Sequence, residues 1–117
     1  MSNTTTALLV KLIMTFIFAM IAFGYVDKNM WSSIFWVALA GTVINYLVGD
    51  LLVLPSLGNI IASIGDGAMG ALTAYIVSML LPAFQVSMTG LFLFGILVAI
   101  GEYFFHQYLR SAEKVAP

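Results

Sequence analysis

Five ionisable residues lie inside otherwise apolar stretches: Lys11, Asp50, Asp66, Glu102 and His106. Charged groups in hydrocarbon are costly, so those that persist face the interior of a helix bundle and find partners there. Carboxylates that titrate at membrane depth mark proton relays and ion paths, and three acids beside one amine have that potential. His106 follows Glu102 by four residues, so imidazole and carboxylate share a helix face. The pair suits a proton relay or, with the other acids, metal ligation. The plainer reading is architectural. Lys11 pairs with one acid, the other acids accept hydrogen bonds or carry protons, and His106 is a hydrogen-bonded residue near the interface. On that reading the cluster fixes helix register, and no catalytic residue, metal ligand set or cofactor is assigned. Seven scattered methionines read as packing residues.

Each acid in the cluster follows a glycine: Gly49-Asp50, Gly65-Asp66 and Gly101-Glu102. A missing side chain lets membrane helices approach closely. Ala38, Gly41, Asn45 and Gly49 extend a small or polar face, as do Ser63, Gly67, Gly70, Ala74 and Ser78, and also Gly95, Ala99, Glu102, His106 and Arg110.

The elements that position these groups follow from composition. Hydrophobic residues make up 62% of the 117 and charged residues 8%, too few charges to cover a water-facing surface. About 20 apolar residues cross the hydrocarbon as a helix, and four stretches qualify: 7–25, 31–54, 58–81 and 86–109. The expected fold is all-α, a four-transmembrane-helix antiparallel bundle forming a single domain over 1–117. Pro55 and Pro82 mark helix ends, because proline cannot donate into a continuing helix. At about 1.5 Å per residue, Asp66 and Glu102 are expected deepest, with Asp50 and Lys11 nearer the surface.

A soluble bundle would need one-sided apolar stripes, which all-round hydrophobicity contradicts. A cleaved signal peptide over the first stretch is disfavoured because Lys11, Thr15, Ala19 and Ala22 line one face, as in a packed span. An even number of spans puts both termini on one side with Lys11, Arg110 and Lys114, against Lys28 opposite, which makes the termini cytoplasmic and the protein a multi-pass component of the cell membrane. Tyr25 and Trp31 then anchor the outer interface, and Tyr103 and Tyr108 the inner one.

A net charge of −1 without a basic block sets nucleic acid aside as a partner. Zero cysteines exclude disulfides and thiolate chemistry. Metalloprotease, nucleophile-elbow and phosphate-loop patterns are missing. The Gly-x-Gly-Asp signature of intramembrane aspartyl proteases fails at Ser63, so no enzyme is expected. Lys11 and Asp66 hold like positions in the first and third spans, and Asp50 and Glu102 in the second and fourth, a faint sign of a parallel duplication.

The run Tyr46-Leu47-Val48-Gly49-Asp50-Leu51-Leu52-Val53-Leu54-Pro55-Ser56-Leu57-Gly58-Asn59, with Asp66 and the later Gly101-Glu102-Tyr103-Phe104-Phe105-His106, resembles the YndM-like family of small four-helix membrane proteins from spore-forming Gram-positive bacteria. The resemblance implies fold and membrane placement and names no substrate. Within it, Gly49, Asp50, Pro55, Gly58 and Asn59 read as a hairpin-turn motif. Asp50 ends one helix, Pro55 stops it, and Asn59 caps the next.

Two functional readings follow. One is a structural or accessory component of the bilayer, self-associating through small-residue faces, chiefly that of the third span. The other is a small proton- or cation-coupled transporter or channel, similar in size and helix count to small multidrug transporters and fluoride channels. The glutamate that multidrug transporters carry in their first span is replaced here by Lys11, which counts against drug export. A water-accessible crevice reaching Asp66 and Glu102 would favour transport, and a tight seam with Lys11 paired would favour the structural reading.

Overall fold

The computed structural model describes residues 3–112. The first span is α1 (Asn3–Ala19) continued by a π-helical segment, Met20–Val26. The second is α2 (Trp31–Ile44) continued by another, Asn45–Val53, and then by the short α3 (Leu54–Leu57). The third is α4 (Asn59–Leu80) and the fourth α5 (Met88–Ala112). No strand occurs among the described residues. Four helical stretches, Thr4–Val26, Trp31–Val53, Asn59–Leu80 and Met88–Tyr108, are long and apolar enough to cross a membrane. With the longest dimension at 40 Å, the bundle matches a bilayer with its headgroups. Ile13, Ile64, Leu72, Phe92 and Phe104 are exposed, an apolar exterior suited to lipid.

The spans close a ring: first on second, second on third, third on fourth, and fourth back on first. Buried positions along the second span recur every four residues, at Ser33-Ile34, Val37-Ala38, Gly41-Thr42, Asn45-Tyr46 and Gly49-Asp50. A four-residue step overshoots a 3.6-residue turn by about 40°, so a purely α-helical span would rotate this face away from the core. The wider π turns undershoot and bring it back. The first span repeats the device, with Ala7, Lys11, Thr15, Ala19 and Phe23 buried at the same spacing and π turns over the last of them.

Pro55 does not stop the second span. It lies within the first turn of α3, and the chain reverses at Gly58, whose φ of 88° is open to glycine and strained for other residues. The third span ends at Leu80, two residues before Pro82, as the sequence leads one to expect.

At the end away from the chain termini, two loops are laced together. Asp27 accepts from the Ser87 backbone N–H at 3.0 Å and from its hydroxyl at 2.5 Å, and Ser87 Oγ accepts from Gly90 N–H at 2.9 Å. Asn29 donates to the Gln85 carbonyl at 2.6 Å and accepts from Gln85 N–H at 2.8 Å. Asp27 therefore satisfies the start of α5 from across the bundle.

Candidate functional site

Each span contributes to one buried cluster: Lys11 from the first, Asp50 from the second, Asp66 from the third, Glu102 and His106 from the fourth. All five are 0% exposed. Ala7, Leu54, Ala62 and Phe105 close the cluster toward the termini. Toward the other end, Phe23, Phe84, Phe94, Ile34 and Val98 form an apolar plug, with Phe23 5.3 Å from Phe84 and 5.0 Å from Phe94 between ring centroids.

Lys11 Nζ donates to Asp50 Oδ2 at 2.9 Å and to Glu102 Oε2 at 2.5 Å, and lies 5.1 Å from the centroid of the Phe105 ring. His106 Nε2 is 2.9 Å from Asp50 Oδ1, 3.0 Å from Asp66 Oδ2 and 3.4 Å from Glu102 Oε2. One nitrogen thus meets three carboxylates, and of their oxygens Asp50 Oδ1 is the one placed for a hydrogen bond with it. Both Asp66 oxygens and Glu102 Oε1 are left buried without an aligned donor. One oxygen from each acid and the His106 nitrogen lie within 4.8 Å of one another. Among the described residues, these four form a group able to hold a metal ion.

The ring of His106 is held from its other nitrogen. Nδ1 lies 2.8 Å from Asn59 Oδ1 and 3.3 Å from Ser63 Oγ. Ser63 donates to Asn59 Oδ1 at 3.1 Å, and Asn59 Nδ2 donates to the Tyr103 carbonyl at 3.0 Å. The amide orientation is therefore fixed, with its oxygen toward the imidazole.

Several expectations change. Asn59 is not a helix cap: Gly58 occupies that position without a side-chain hydrogen bond, and the Asn59 amide orients His106. Asp50 does not end its helix, which continues through Leu57, and its carboxylate meets Lys11 and His106. His106 is fully buried within the bundle. Lys11, neutralised inside the bundle, no longer counts as a flanking positive charge. Of the other two charges on that side, the Arg110 side chain and the whole of Lys114 lie outside the described residues. Of the three glycines before acids, Gly49 makes room for the Asp66 carboxylate and Gly101 for the Phe18 ring, whereas Gly65 faces open space. Gly67 packs on Gly95 and Gly70 on Phe94 and Val98, so the small-residue face of the third span is used inside the chain.

The roles of Asn59 and Ser63 escaped the sequence reading, although Asn59, Ser63 and Asp66 recur at four- and three-residue steps along one face. That periodicity was the available signal. Asp27 gave none, since its partner is 60 residues away.

Residues 2–115 match a family described as a protein of unknown function (DUF2512), and the chain belongs to it. No curated protein and no solved structure matches.

Proposed function

We propose that this DUF2512 member is a structural or accessory component of a cell membrane, non-catalytic, in which a buried ionic cluster sets the register of four spans. The observation that supports the reading is the pairing of Lys11 with both Asp50 and Glu102 at zero exposure, the tight seam that a resting carrier site open to water would lack. Removing one member of such a cluster leaves uncompensated charge in a low-dielectric interior, so the cluster tolerates few alternative packings. Above it, Phe23, Phe84, Phe94, Ile34 and Val98 pack as an apolar layer toward the opposite side.

In its finer form the reading makes the protein YndM-like, multi-pass, with cytoplasmic termini. Self-association would use the lipid-facing side of the third span near Gly65 and Ala68, since Gly67 and Gly70 are occupied within the chain. The deciding experiment is flux in proteoliposomes loaded with a pH- or cation-sensitive dye. Silent vesicles under imposed proton, sodium and potassium gradients are expected. A flux that vanishes in Asp66→Asn or Glu102→Gln would establish transport instead.

A further inference from the structure

The unbalanced chemistry of the cluster carries one step more. Four donor atoms from three spans converge, one imidazole nitrogen and three carboxylate oxygens, with the nitrogen 2.9, 3.0 and 3.4 Å from its neighbours. The three nitrogen–oxygen distances are those that ligands about 2.0–2.2 Å from a shared ion adopt, and the whole set, its four atoms within 4.8 Å of one another, draws in slightly to share one. A hydrogen-bonded core would distribute donors among the acids, but Asp66, with no exposed surface, has neither oxygen matched to an aligned donor, and Glu102 Oε1 has none either. Buried carboxylate oxygens without donors are costly, and a cation satisfies several at once.

We propose that Asp50, Asp66, Glu102 and His106 bind one divalent transition-metal ion. Hard oxygen donors joined by a single imidazole, with no thiolate, suit Mn2+, Fe2+ or Zn2+. Lys11 binds Asp50 Oδ2 and Glu102 Oε2, so the ion takes Asp50 Oδ1, Asp66 Oδ2 and Glu102 Oε2, the oxygens that approach the His106 nitrogen, with Glu102 Oε2 shared with Lys11. Charge agrees. Three carboxylates, one ammonium and a neutral imidazole carry two net negative charges, which a divalent cation cancels. With the imidazole proton on Nδ1, the Asn59 side-chain oxygen accepts it and Nε2 is presented as a ligand, the arrangement that orients metal-binding histidines generally. Asn59 also lines a surface cavity of about 640 Å3 with Gly58, Tyr103 and Gln107, so the residue that orients His106 is itself reached from the terminal end. Gly49 contributes by yielding the volume that the Asp66 carboxylate occupies.

The inference rests on the structural reading of the same cluster, with the ion as its centre, and its test is separable from the flux assay. The full chain, purified in detergent and stripped with EDTA, is titrated with Mn2+ and with Zn2+. Metal content after gel filtration and the unfolding temperature are both followed. One ion per chain and a raised unfolding temperature are expected, because an ion that binds only the folded state stabilises it. Asn59→Ala is expected to weaken binding roughly 10–100-fold while leaving every ligand in place, and Asp66→Asn to abolish it. Wild-type protein that is folded yet stays free of metal at millimolar Mn2+ and Zn2+ overturns the proposal, as does binding unchanged in both variants. Should Asp66→Asn not fold, the wild-type titration and Asn59→Ala decide alone. Silent vesicles without metal binding would retire the ion and keep the structural reading, whereas metal binding with flux would do the reverse.

Discussion

Gly49 and Asp66 occupy one space between them: a β-carbon added to Gly49 would fall on the Asp66 carboxylate. The second and third spans meet there, and the buried acid fits because its neighbour has no side chain. Gly49→Ala is therefore expected to displace Asp66 and destabilise the fold by about 1–3 kcal/mol, the range for overpacking a close-packed interior. Equilibrium unfolding in mixed detergent measures this, and a variant as stable as wild type would show that the contact is not restrictive.

The glycines of the third span should separate cleanly. A β-carbon on Gly67 meets the Gly95 carbonyl oxygen at 2.5 Å, while one on Gly65 meets nothing within 4 Å. Gly67→Ala should lower stability, and Gly65→Ala should hold or raise it by about 0.5–1 kcal/mol through the gain in helix preference. Thermal unfolding of the two variants side by side provides the comparison, and equal effects would contradict it.

Lys11 balances two acids, so its loss should weigh more than that of a surface lysine. Lys11→Met leaves Asp50 and Glu102 without their shared cation, and an expected cost of about 3–5 kcal/mol follows for a broken buried pair. Adding Glu102→Gln should recover part of that loss, since removing both charges of a buried pair is far milder than removing one. Additive losses in the double-mutant cycle would mean that the two residues are not coupled.

At the opposite end, Asp27 holds the start of α5 through Ser87. Asp27→Ala is expected to cost about 0.5–2 kcal/mol, as for the loss of a helix cap. Amide hydrogen exchange should accelerate at Ser87 and Gly90 and remain unchanged at the buried cluster. Uniform acceleration along the chain would assign Asp27 a global role instead.

Much of the architecture was legible without coordinates. Four apolar stretches of sufficient length, the short breaks between them and the burial of Lys11, Thr15, Ala19 and Ala22 on one face all follow from transfer free energy and helical periodicity, which are local properties. The same local logic placed Lys11, Asp50, Asp66, Glu102 and His106 in the interior, since hydrocarbon offers them no alternative.

Which of them touch was decided only by the tertiary structure. Partner choice depends on the rotation of each span about its axis, and that rotation is set by π turns over Met20–Val26 and Asn45–Val53 and by contacts between residues far apart in the chain. Pro55 reads as a helix stop because proline disfavours a helix interior, yet at the start of α3 its constraint is harmless and Gly58 makes the turn. Asn59 has the composition of a cap, but the imidazole of His106, 47 residues away, offers its amide a better use. Sequence alone determined that the ionisable groups are buried, because burial is a bulk preference of each residue. Their convergence on the His106 nitrogen required the packed bundle, because geometry at the scale of one hydrogen bond is a property of four helices together.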